Sequence, residues 1–308
     1  MPRQDRRRLT PKRLVQLASF GLVWPLLALV GLAPFWLNYL LADFLRWVMF
    51  DVLKYRRRLA AENLLRAFPQ KSDAERARIQ RAFERNFMDN LVEGVKLRYA
   101  PSAETIFRRI TQTVTPGAAA LLASAPRVVV GQGHLGQLDW SCFIGRALGR
   151  PSYYVYKELQ HPDFDRMMFN TRSRTGSVLY EMGDAKAFIA EHQAGPGGFV
   201  FIADQAPMAG RGRWVPFFGE QVPFFEGMER FARQYSMPVL YHSVRQLARG
   251  RYAWTVEVLV ADLASTPEGG ITAAYAQRLE REIIENPELW WWSHKRWKHN
   301  PLPPTSTA

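Results

Sequence analysis

A histidine and an acid stand close together in a glycine-rich stretch, GQGHLGQLDW, residues 131–140. His134 is followed by four residues and then by Asp139. An imidazole beside a carboxylate is a unit of general-base chemistry. The carboxylate accepts a hydrogen bond from one ring nitrogen, which fixes the tautomer and frees the other to take a proton from a hydroxyl. No nucleophilic Ser or Cys stands out in the stretch, which favours direct attack by a substrate hydroxyl over an acyl-enzyme. On one continuous helix the two residues would point about 140° apart. The pair therefore works only across a turn, and Gly131, Gly133 and Gly136 offer one. Free N–H groups of that turn and of the following helix would suit a developing oxyanion. A His and an Asp at this spacing are common, so two polar residues in an ordinary turn remain the competing reading.

The elements around the stretch give the pair a place. Val128–Val130 read as a buried strand, and 139–149 as the helix after it. The same rhythm continues with strands at Ser152–Tyr156, Val178–Met182, Phe199–Ala203, Val239–Val244 and Trp254–Val260. Helices are expected over 163–174, 184–193 and 226–236, and a last one over Thr272–Asn286. Strand–helix alternation predicts an α/β fold, a mostly parallel central sheet flanked by helices. The last two runs, Tyr241–Val244 and RYAWTVEVL, have an alternative: they could instead pair antiparallel across the Arg249–Gly250 turn. In such sheets ligands bind beyond the carboxyl ends of the strands, where the His134 turn lies. Upstream, Tyr55–Phe68 reads as a basic helix ended by Pro69. Ser72 offers an N-cap for a long helix over Asp73–Arg98, with Ile79, Phe83, Phe87, Leu91 and Val95 as its apolar stripe.

Composition bounds the partners. The 308 residues carry a net charge of +13, which suits an anionic partner: nucleic acid, a phospholipid surface or an acidic protein. The single cysteine, Cys142, excludes an intrachain disulfide and any cysteine-based zinc site. The histidines at 161, 192 and 242 form no metal-ligand spacing, and no catalytic metal or other cofactor is expected. Residues 1–13 hold six basic residues and one acid, and Leu14–Ala42 then carry no formal charge. That run is long enough to cross roughly 30 Å of hydrocarbon. Pro25 and Pro34 interrupt it, and Lys54 with Arg56, Arg57 and Arg58 makes its second flank positive too. Basic flanks on both sides favour a segment that dips into or lies along one leaflet. A single spanning helix, a signal peptide and a buried helical hairpin are the alternatives.

Several blocks carry a resemblance. KYRRRLAAENLLRAFPQKSDAERARIQRAFERNFMDNLVEGVKL (54–97), GHLGQLDW (133–140), FDRMMFNTRSRTGS (164–177), FIADQAP (201–207), WVPFFG (214–219) and NPELWWWSHKRWKH (286–299) resemble, in order, the successive blocks of the lipid A biosynthesis acyltransferase family. His134, four residues and an acid match the signature of the wider glycerolipid acyltransferase superfamily. The resemblance implies a membrane-associated enzyme at the cytoplasmic face of the cell inner membrane. It implies transfer of a fatty acyl chain from acyl carrier protein, or from acyl-CoA, to a hydroxyl of a lipid A precursor. It assigns His134 as general base and Asp139 as the acid that orients it, although many relatives carry Glu at that place. It divides the chain into a basic hydrophobic segment (1–53), a helical region packed on the catalytic domain (54–124) and an α/β acyltransferase core (125–308).

Other residues take roles from the same resemblance. Arg172 and Arg174 match a basic motif near the site and suit phosphates or sugar acids of the acceptor; on spacing alone they read as a solvated helix face. Asp204 and Gln205 end a predicted strand and fall in the active-site wall or the acceptor site, with a capped turn as the alternative. Arg211 and Arg213, in the loop MAGRGRW, are candidates to meet phosphate. Glu226 and Gly227 form a decoy: a Glu-Gly pair binds phosphate in glycerol-phosphate acyltransferases, yet Asp204 and Gln205 hold that place in chain order. Trp290, Trp291, Trp292 and Trp297, interleaved with His294, Lys295, Arg296 and Lys298, suit an anionic lipid interface or a nucleic acid strand, or else close the core. No nucleic acid is expected as a partner. Two rivals remain: the same chemistry on a lysophospholipid, a phosphoinositol mannoside or an aminolipid, and a non-catalytic basic protein on membrane or nucleic acid.

Overall fold

Val128, Val129 and Val130 are fully buried, which a strand achieves only when both faces of its sheet are covered. Val129 packs on one face with Phe199, Val239, Tyr241 and Leu279. Val128 and Val130 pack on the other with Ile144, Val200 and Leu240. The computed structural model describes residues 10–156, 158–181, 185–192 and 194–300. The basic run at 1–9 and the Pro-rich close at 301–308 lie outside the described residues, as do 182–184 and 193 at the expected ends of a strand and a helix.

The chain opens with helices: α1 (Pro11–Leu32), α2 (Phe35–Arg46), α3 (Arg57–Ala67), α4 (Asp73–Tyr99) and α5 (Ala103–Phe107). Pro34 separates α1 from α2, since the residue before a proline is driven out of helical geometry. A π-helical turn, Trp47–Val52, extends α2. Ser72 caps α4 in a reciprocal capping box with Glu75. Then follow β1 (Ile110–Val114), α6 (Pro116–Ser124), β2 (Arg127–Gln132), α7 (Leu138–Ser141), α8 (Ile144–Leu148), β3 (Ser152–Tyr156), α9 (Pro162–Ser173), β4 (Val178–Glu181), α10 (Ala185–His192) and β5 (Gly197–Ile202). The hairpin β6 (Arg213–Phe217) and β7 (Glu220–Phe224), α11 (Gly227–Gln234), β8 (Val239–Ala248), β9 (Arg251–Val260) and α12 (Gly270–Glu285) complete the series.

The sheet has seven strands in the order β1-β9-β8-β2-β5-β3-β4. The strands from β8 to β4 run parallel, as the sequence predicts, and of the two pairings it left open for β9 the antiparallel one with β8 across the Arg249–Gly250 turn is found. Two features escape the sequence pattern. Strand β1 joins the sheet edge parallel to β9, with burial on alternate residues only. The β6–β7 hairpin forms a separate two-stranded sheet, because each strand carries a proline that a central strand would not admit. The expected helix over 139–149 is broken into α7 and α8.

Helix α1 packs on α4 and α9. The side chain of Lys96 donates to the carbonyl of Gly31 at 2.9 Å, and Arg13 pairs with Asp163 at 2.5 Å. Glu93, fully buried on α4, joins three layers. Tyr39 of α2 donates to it at 3.0 Å, Tyr252 of β9 at 2.8 Å, and Gln137, in the turn after His134, at 3.4 Å.

Burial pushes the Glu93 carboxyl up to about 7, nearby Asp89 adds to the shift, and the three donors oppose it. An acid raised on folding binds more protons folded than unfolded between its two pKa values, so stability falls as pH rises from about 4.5 to about 7. Glu93→Gln should remove that part of the pH slope. Urea unfolding midpoints of both proteins across this window check it; parallel slopes would count against the assignment.

Candidate active site

The register of two neighbouring strands builds the site. β2 and β5 pair parallel with Gln132 beside Ile202, so their carboxyl ends stop at the same level. Two residues beyond each end stand His134 and Asp204. The Asp204 Oδ1 lies 2.5 Å from His134 Nδ1, and Oδ2 accepts the His134 backbone N–H at 2.8 Å. Tyr275 of α12 clamps the two ends from below: its hydroxyl donates to the Gln132 carbonyl at 2.7 Å and accepts the Ala203 N–H at 3.3 Å.

Asp204 is buried, yet its carboxyl is held down to about 2. Burial alone would raise it; the charge of His134, the two hydrogen bonds from His134 and one from Trp290 overcome that. Trp290 Nε1 donates to Oδ2 at 2.8 Å. The residue that brings Trp290 there is Gly136, whose positive φ of 57° lets the chain turn back. Its N–H donates to the Leu289 carbonyl at 3.1 Å, and Leu135 bridges Trp290 antiparallel. The segment after α12 thus forms the roof. Trp291 packs on the His134 ring at a tilt of 45°, centroids 5.4 Å apart, and His294 lines the same small cleft with Gln205.

The structure does not bring Asp139 to the imidazole. Asp139 sits in the first turn of α7, with its N–H held by the Gln137 side chain at 3.0 Å. Its carboxylate pairs with Arg172 of α9 at 2.7 Å. Gly94 of α4 makes room for it, since a Cβ there would lie 2.5 Å from Asp139 Oδ2. A glycine inside a helix costs about 1 kcal/mol against alanine, and this close approach accounts for it. Four intervening residues place Asp139 beyond the turn, on the side facing α9; the carboxylate that meets His134 comes from the neighbouring strand.

The remaining candidates separate. Gln205 Nε2 lies 3.4 Å from His134 Nε2, on the side of the ring opposite Asp204. Arg172 is engaged through Nε, and its guanidinium lies 5.8 Å from the Tyr156 ring; no hydrogen bond to a described residue occupies its terminal amino groups. Arg174 instead donates to the carbonyls of Arg98 and Ala100, closing the end of α4. Arg213 is held by Glu226 at 3.0 Å and Glu268 at 2.7 Å, and Arg211 is exposed. Glu226 precedes α11 as its N-cap, in line with the decoy reading. Trp290, Trp292 and Trp297 are core residues, and Arg296 is wholly buried between Phe224 and Phe217 rather than reaching for solvent. Burial pushes the Cys142 thiol up to about 12, far from the thiolate a nucleophile requires. Among the described residues no three His, Cys, Asp or Glu side chains gather as a metal site.

Sequence reasoning placed Asp204 in the wall of the site and missed it as the partner of His134. The available signal was the equal offset of both residues from their strand ends. From the sequence, Trp290, Trp291 and His294 read as interface or core, because nothing local shows that their segment returns over β2.

The family model for bacterial lipid A biosynthesis acyltransferases matches residues 2–299. The chain belongs to that family. No curated protein matches it. The match covers the helical N-terminus, the sheet and the roof segment alike, so His134, Asp204 and Trp290 all fall within the lipid A acyltransferase match.

Asp204→Asn leaves the shape but offers an amide to an imidazole nitrogen that needs a carboxylate. Acyl transfer should fall by ~10²–10⁴-fold. Arg213→Ala, away from the ring, should stay within about threefold of wild type. Steady-state rates of the two purified variants decide; equal losses would dissolve the distinction.

Proposed function

We propose that this lipid A acyltransferase moves a fatty acyl chain from an acyl thioester to a hydroxyl of a lipid A precursor, with His134 as general base. Acyl carrier protein is the donor; such carriers are acidic, and a chain of +13 attracts them by electrostatic steering. The observation that carries the reading is the Asp204–His134 contact at the ends of β2 and β5. Asp204 holds the proton on Nδ1, which leaves Nε2 unprotonated and turned to the cleft.

The acceptor hydroxyl gives its proton to His134 Nε2 as its oxygen attacks the thioester carbonyl. The carbonyl π electrons move to oxygen and a tetrahedral oxyanion forms. Its collapse breaks the C–S bond, and the imidazolium returns the proton to the leaving sulfur. Ester and free thiol result, and His134 ends as it began. Asp204, kept ionised, stabilises the imidazolium between the two steps. Arg172, oriented by Asp139, offers its terminal amino groups to an acceptor phosphate.

Membrane attachment has its own support. Residues Arg13–Leu32 form one helix long and apolar enough to cross a membrane, and little of it is buried. Leu22, Leu26 and Leu29 on α1, and Trp36, Leu40, Phe44 and Trp47 beyond it, are exposed at helical spacing. The other side of α1 packs on α4 and α9: Trp24 meets Tyr99 at 5.8 Å, and Phe20 meets Phe164 at 5.1 Å. A helix docked along one side on the catalytic domain suits a face laid into the cytoplasmic leaflet of the inner membrane.

Two tests follow. His134→Ala should lower transfer by ~10²–10⁴-fold in folded enzyme, and lipid A from cells lacking the protein should miss one acyl chain by mass spectrometry. A near wild-type rate for the variant, or unchanged lipid A, would overturn the assignment. Replacing Leu26, Leu29, Trp36 and Leu40 together by Ser removes apolar side chains worth about 1.5–3 kcal/mol each on transfer to hydrocarbon. The variant should leave the membrane pellet; retention there would refute the leaflet contact.

A further inference from the structure

The cleft beside His134 is lined by His134, Asp204, Gln205, Trp290, Trp291 and His294. Two buried polar atoms of this lining have no hydrogen-bond partner among the described residues: Trp291 Nε1 and His294 Nδ1. Buried polar atoms without partners are uncommon and call for an explanation. Trp290, in the same segment, shows the contrast, since its indole N–H is taken by Asp204. An indole nitrogen only donates, and a neutral imidazole donates from one nitrogen. Given His134 as the base of an acyl transfer, as proposed above, we infer that Trp291 Nε1–H and His294 Nδ1–H donate to the thioester carbonyl oxygen as it becomes an oxyanion.

Three observations favour this over idle packing. The first is position: the Trp291 and His134 rings meet at a tilt, centroids 5.4 Å apart, and Trp291 and His294 line the same cleft as His134, where the attacked carbonyl must sit. The second is preorganisation. Asn63 donates to the carbonyls of Trp292 at 2.7 Å and His294 at 2.9 Å, Arg56 holds that of Ser293 at 2.9 Å, and Phe87 packs on Trp291 at 5.7 Å. Donors fixed before the reaction stabilise developing charge without reorganising at the transition state. The third is charge. Burial holds the His294 imidazole down to about 4, and the adjacent His134 works in the same direction against the pull of Asp204. His294 therefore stays neutral at pH 7 and donates without competing with His134 for the substrate proton.

The step itself is the attack described above. The carbonyl C–O bond loses its π pair to oxygen, the two N–H groups receive that charge, and they release it when the C–S bond breaks. Neither side chain exchanges a proton.

The test uses the full chain in detergent, acyl carrier protein carrying a thioester-linked fatty acid, and a lipid A precursor. Trp291→Phe keeps an aromatic ring over His134 and removes the N–H. It should lower kcat by ~10²–10³-fold, with KM for the acceptor within about threefold and the acidic limb of the pH–rate profile unmoved. His294→Ala should lose as much, and His294→Asn, which returns an N–H donor, should recover at least about tenfold of it. Trp291→Phe with wild-type kcat, or a loss confined to KM, overturns the proposal. If that variant fails to fold, equal rates for His294→Ala and His294→Asn overturn it. His134→Ala separates the two readings. Retained activity there defeats the general-base assignment, whereas wild-type kcat in Trp291→Phe defeats only the donor assignment.

Discussion

One buried carboxylate organises this molecule. Asp204 receives the His134 ring, the His134 backbone and the Trp290 indole, so both of its oxygens are engaged. Taking a carboxylate out of water costs several kcal/mol, and hydrogen bonds to a charged group return about 1.5–3 kcal/mol each. Three such bonds offset the cost only while the strand ends, the glycine turn and the C-terminal segment all hold their places. The β2–β5 register sets the height of His134 and Asp204, Tyr275 ties the two ends, and Gly136 brings Trp290 over them. Loss of any one would leave a buried charge short of a partner.

The second ion pair of the site is built separately. Asp139 and Arg172 join α7 to α9 against Gly94 of α4. The motif thus gives one residue to each pair: His134 goes to the sheet edge and Asp139 to the helix layer. A short aspartate fits between Gly94 and Arg172.

Much of this was legible in the sequence. The valine run, the alternation after it, the Ser72 cap and the Arg249–Gly250 turn each act within a few residues, and the predicted strands and helices are found, with the helix over 139–149 broken in two. Strand β1 was hidden because only one of its faces is buried, and the β6–β7 hairpin because prolines at 216 and 223 read as loop. The partner of His134 was hidden for a different reason. Asp204 is 70 positions away in the chain, and which strands become neighbours is decided by packing across the whole sheet. Asp139, near in sequence, drew the inference that Asp204, near in space, deserved. Likewise the Trp-rich segment advertises its aromatics but not its destination, and three of its tryptophans prove to be core.

The central claim is that Asp204, not Asp139, fixes the tautomer of His134. Proton NMR of enzyme labelled with nitrogen-15 histidine tests it directly. The His134 Nδ1 proton, in a short bond to a carboxylate, should appear far downfield in wild type, vanish in Asp204→Asn and persist in Asp139→Asn. A signal that survives Asp204→Asn and disappears with Asp139→Asn would contradict the account.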